Sequence, residues 1–87
     1  MTDGILTYAD RISWGIIENE VFIFDELTGE IFLLKGNEKE LWLLIRNGES
    51  LSNLVGFMKK NQNVNEDKVL KIIGKLQRWN LIARKLM

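Results

Sequence analysis

The spacing of apolar positions changes near Gly36. Ahead of it lie short strand-like runs, Ile12–Ile17, Val21–Phe24 and Ile31–Leu34, rich in the β-branched and aromatic residues that a pleated surface favours. Beyond it apolar residues recur at spacings of three and four, predicting helices that begin at Asn37, Ser50 and Asn65. The pattern therefore predicts an α+β chain, a three-stranded antiparallel β-meander followed by three α-helices.

Short links set the order of the strands. Glu18–Glu20 and Asp25–Gly29 are hairpin-length and carry Asn and Gly, so consecutive strands are antiparallel neighbours and the third is an edge. Alternation within the strands predicts Phe22, Phe24, Phe32 and Leu34 on the core face. It leaves Ile17, Val21, Ile23, Ile31 and Leu33 on a second face that is also apolar, which calls for a cover or a ligand. Asn37 with Glu40 reads as a capping pair for the first helix, whose stripe is Leu41, Trp42, Leu44 and Ile45, closed by Gly48. Ser50 caps the second, with Leu51, Leu54, Val55 and Met58 on one face, and the link Asn47–Glu49 is like that of a helix-turn-helix. Asn65 caps the third, where Val69, Ile72, Ile73, Leu76 and Trp79 follow. Asn80 suits a left-handed end, and Leu81–Ala83 begins an extended tail.

Composition narrows the chemistry. The 87 residues are enough for one domain, spanning 1–87, and 46% of them are apolar, which fits a globular chain. With neither Cys nor His, disulfides, thiolate metal sites and imidazole proton transfer are excluded. The carboxylates Asp25/Glu26 and Glu38/Glu40 sit at a turn and a helix start, where capping and solvation account for them. No catalytic residue, cofactor or metal is expected, so the chain reads as a binding module. No signal peptide or membrane-spanning run is seen, and a cytoplasmic location is expected.

Zero net charge conceals a polarity. Residues 1–50 hold four basic and ten acidic groups, giving −6; residues 51–87 hold eight basic and two acidic groups, giving +6. Lys68, Lys71, Lys75 and Arg78 recur along the third helix, as a winged-helix DNA-binder would require. The acidic half and a pI near 6.2 count against nucleic acid. The competing reading is a peptide site, with a guest strand completing the third strand's edge beside an apolar groove along Val69–Leu76, which Gly74 lets it approach closely. A homodimer through the second apolar sheet face is a further alternative.

The ordered set Val21–Asp25, Thr28–Leu34, Leu41–Leu44 with Gly48, Ser50–Leu54, Val64, Val69, Leu76 and Asn80–Ile82 resembles PqqD-like proteins, the peptide chaperones also called RiPP recognition elements. The resemblance covers about residues 12–83, with Lys35-Gly36 and Asn80 departing from the family's usual Asn and Gly. It implies a winged helix-turn-helix-like fold that binds the leader of a ribosomally made precursor peptide. Carried onto this chain, it implies a leader strand beside Ile31, Phe32, Leu33, Leu34 and Lys35, lying against Val69, Leu70, Ile73, Leu76 and Gln77. The implied partners are the precursor leader and the enzymes of one pathway: a leader peptidase and cyclase, as in lasso-peptide biosynthesis, or a radical enzyme.

Overall fold

The computed structural model describes residues 4–86. Its elements are β1 (Gly4–Tyr8), β2 (Ile12–Ile17), β3 (Glu20–Asp25), β4 (Ile31–Leu34), α1 (Gly36–Ile45), α2 (Leu51–Gln62), α3 (Glu66–Arg78) and β5 (Ile82–Leu86). β2, β3 and β4 form one antiparallel sheet in that order, with β4 at an edge as the short links predict. The α+β, winged helix-turn-helix-like arrangement expected from the sequence is the observed one.

Two strands lie outside that expectation. β1 pairs antiparallel with β5, from Gly4 opposite Leu86 to Tyr8 opposite Ile82, so the extended tail is one strand of a separate ribbon. This ribbon brings Leu6, Leu81 and Ile82 into the same core as the helices.

The β2–β3 turn places Glu18 and Asn19 at φ 51° and 67°, the paired left-handed geometry of a two-residue hairpin. The next hairpin is held by Asp25. Its Oδ1 accepts the Leu27 and Thr28 amides at 2.9 and 3.2 Å, and the Arg11 Nε lies 3.4 Å away. Burial alone would push the Asp25 pKa up; these two amides and the guanidinium outweigh it and hold the carboxyl below its ordinary range.

The face assignment of β3 needs correction. Val21 stands opposite Leu34 and Ile23 opposite Phe32, so these four share the inner face, and Val21, Ile23 and Leu34 are fully buried. Phe22 and Phe24 point the other way, and Phe24 is exposed. The inner face already carries Trp14 opposite Ile23 and packs on Trp42 and Tyr8. Compact β-branched side chains fill the remaining space beside those rings better than a second pair of phenyl groups would.

The start of α1 is also corrected. The helix begins at Gly36 with Lys35 as its N-cap, and no side chain caps it. Asn37 lies inside the first turn. Gly36, at φ 56°, lets β4 fold directly into the helix without the spacer that an Asn37 cap would need. The other caps form as predicted: Ser50 accepts the Asn53 amide and Asn65 accepts the Lys68 amide. α3 ends with Asn80 at φ 59°, its amide donating to the Gln77 carbonyl and that of Leu81 to the Leu76 carbonyl, a Schellman closure. Among the described residues no helix is long and apolar enough to cross a membrane.

Candidate functional site

The edge of β4 is defined by where its hydrogen bonds go. The Asp25 amide donates to the Glu30 carbonyl at 2.9 Å, which makes that pair a bonded one. In an antiparallel ladder bonded pairs alternate, so Phe32 and Leu34 spend their backbone groups on Ile23 and Val21. Ile31 and Leu33 therefore turn their N–H and C=O groups away from β3. The other side of the sheet agrees: Glu26 donates to the Arg11 carbonyl, which assigns Phe24 and Phe22 to the ladder with β2. No strand among the described residues covers the β4 edge.

Side chains along this edge divide by parity. Ile31 and Leu33 lie on the outer face and are exposed. Phe32 lies on the inner face, half-buried, its ring 4.9 Å from that of Trp79 at the end of α3. Trp79 in turn carries the Lys75 ammonium 4.8 Å from its ring centre, and Lys75 pairs with Glu38 of α1 at 2.7 Å. Phe32, Trp79, Lys75 and Glu38 thus join β4, α3 and α1 into one wall beside the open edge.

Helical geometry decides which flank of α3 takes part. At about 100° per residue, Leu70 and Gln77 stand roughly 140–180° around the helix from Lys75 and Trp79. The flank that meets β4 and α1 carries Lys75 and Trp79; Leu70, half-buried, and Gln77, exposed, lie on the far flank. Val69, Leu76 and Leu34 are fully buried and Ile73 is 5% exposed, so these four build the core under the site and offer no surface to a guest. Lys35 is exposed at the end of the edge, 3.5 Å from Glu20. The structure therefore gathers Ile31, Phe32, Leu33 and Lys35 at the edge. In place of Leu70 and Gln77 it brings forward Trp79 and Lys75. Their spacing of four residues is the sequence signal for that flank, but the apolar stripe Val69, Ile72, Ile73 and Leu76 dominates the pattern of α3.

Gly74 also lies toward the Leu70 flank, and a Cβ there would meet only the Arg78 Nη1, at 3.6 Å. No close approach within this chain requires the glycine. Gly74→Ala is expected to stabilise the protein by about 0.5–1 kcal/mol, the usual helix-interior difference. That raises the melting midpoint by about 3–6 °C. If the β4-facing flank is the one used, peptide affinity stays unchanged; calorimetry and titration of the same variant check both halves.

The described surface also carries hollows away from that wall. The outer sheet face has a shallow one of about 360 Å³ above Gly15, bordered by Trp14, Phe22, Phe24 and Ile31. The other, about 630 Å³, lies between the end of α1 and α2, bordered by Leu44, Asn53, Phe57 and Lys60, with no residue from β4 or α3.

No family model matches this sequence, and no curated protein does. Among solved structures, "TbiB1 in Complex with the TbiA(beta) Leader Peptide" is similar to it over 87% of this chain and 93% of that one, with a TM-score of 0.79 and 20% identity. At that identity the likeness establishes a shared fold: this chain folds as TbiB1 does.

Proposed function

We propose that this chain binds the leader segment of a ribosomally synthesised precursor peptide as an added strand on β4, and presents the rest of that peptide to modifying enzymes. The observation that carries the proposal is the uncovered edge at Ile31 and Leu33, with free backbone groups beside the Phe32–Trp79 wall. The solved structure that shares the fold holds a leader peptide. In this reading the chain performs no chemistry. Holding the leader turns the encounter of substrate and enzyme into a tethered event, at an effective concentration of about millimolar for a short flexible link. The proposed partners are a leader peptidase and ATP-dependent cyclase of a lasso-peptide pathway, with a radical enzyme of a cofactor pathway as the alternative.

A second reading, duplex DNA on the basic face of α3, draws on Lys68, Lys71, Lys75 and Arg78. Against it, Lys75 is already paired with Glu38, and the first fifty residues carry −6.

The test is amide hydrogen exchange, with and without a leader peptide from a short precursor gene neighbouring this chain's own. Strand addition is expected to slow exchange at Ile31 and Leu33. Phe32 and Leu34, whose amides already sit in the ladder, change little. Protection confined to α2 or to the outer sheet face would contradict the proposal.

A further inference from the structure

We infer that the guest strand is apolar on both of its faces: it sets one aliphatic or aromatic side chain beside Ile31 and another beside Leu33, flanking the residue beside Phe32. The inference rests on the leader-binding reading and names the class of peptide that the site selects.

A strand added to the rim of a one-sided sheet ordinarily turns polar side chains to the solvent face. The outer face of β4 offers them no polar neighbour. Ile31 is 68% exposed and Leu33 41%, the largest apolar surface left along that strand. Both continue apolar rows that begin inside the sheet, since Phe24 stands opposite Ile31 and Phe22 opposite Leu33. Among the described residues no strand carries these rows past β4.

Sheet geometry fixes what continues them. Neighbouring strands lie about 4.8 Å apart, and residues side by side in a ladder share a face, whichever way the added strand runs. The guest residues beside Ile31 and Leu33 therefore both point outward, and the one between them points inward with Phe32. An aliphatic, β-branched or aromatic side chain at each outward position extends a row to three apolar members. It also takes exposed surface of Ile31 and Leu33 out of water. A charged side chain there would lose part of its hydration against hydrocarbon, with no opposite charge in its row. Beyond Leu33 the face changes to the Glu20–Lys35 pair, so the demand covers those two outward positions. With the inward residue against Phe32, the guest carries three consecutive apolar residues.

The probe is a randomised library of displayed peptides of about fourteen residues, selected on the intact chain. Recovered peptides are expected to share three consecutive apolar residues. In a synthetic copy of one of them, Ser at both outer positions of that trio is expected to weaken binding about tenfold, from two cross-strand pairs. Ile31→Thr keeps a β-branched side chain and is expected to weaken binding of the parent peptide about threefold. Against the peptide with both outer positions changed that effect disappears, and against one changed only at the middle of the trio it persists. Apolar residues that merely alternate with polar ones overturn the inference while leaving strand addition intact. So does a doubly Ser-substituted peptide that binds as well as its parent, or an Ile31→Thr effect that is the same for every peptide. Peptides that do not slow amide exchange at Ile31 and Leu33 overturn the leader-binding reading as well.

Discussion

Leu33→Pro is expected to weaken guest binding by about 10–100-fold without unfolding the sheet. The Leu33 N–H faces the open edge, so a proline removes no bond from the β3–β4 ladder. Its side chain lies on the outer face and is partly exposed, so the core keeps its contents. Phe32 is already extended, as a residue before proline must be. A guest paired with Leu33 loses one backbone bond and meets the proline ring where a donor stood, together about 1–3 kcal/mol. Phe32→Pro supplies the contrast, since it deletes a donor that the ladder uses and should disrupt the sheet. Circular dichroism of both variants, alongside peptide titration, separates the outcomes. A folded Leu33→Pro protein with parental affinity would falsify the assignment of the edge.

The largest effect on stability is expected in the core. Trp42→Ala should cost about 3–5 kcal/mol, the range for removing a large buried aromatic ring. Trp42 is fully buried, stacks on Tyr8 with ring centres 4.4 Å apart, and meets Trp14 edge-on at 5.9 Å. The Tyr8 hydroxyl also donates to the Trp42 carbonyl, tying β1 to α1. Burial pushes the Tyr8 pKa up to about 12, so this donor stays protonated under ordinary conditions. For a domain of this size the loss lowers the melting midpoint by roughly 15–35 °C and consumes much of a total stability of about 5–15 kcal/mol. Thermal unfolding followed by circular dichroism checks this. A drop of only a few degrees would mean that the aromatic cluster is not the core of the fold.

Much of the fold was legible because its strongest signals are local. Hairpin-length links, the Ser50 and Asn65 caps and the Asn80 closure each depend on neighbours a few residues away. The β1–β5 ribbon was not legible, since Gly4–Tyr8 finds its partner at the far end of the chain and five residues show little periodicity. Parity in β3 could not be read from Val21-Phe22-Ile23-Phe24, which is apolar at every position. Only the register set by the Asp25 hairpin and the bulk of Trp14 and Trp42 decides which pair turns inward. The position of β4 at the sheet edge was visible for the same local reasons. The flank of α3 was not, because it depends on how the helix is rolled against β4, and buried apolar residues dominate its sequence pattern.

A four-residue rim with only every second position available offers a guest very few main-chain bonds, and a shift of two positions reproduces them. Such a grip is shallow: it lets go quickly and cannot by itself fix where along its cargo it holds. Residence and alignment then depend on a few side chains at the Phe32–Trp79 corner. Under the proposed leader-binding function, such a grip suits repeated loading and hand-over better than permanent storage.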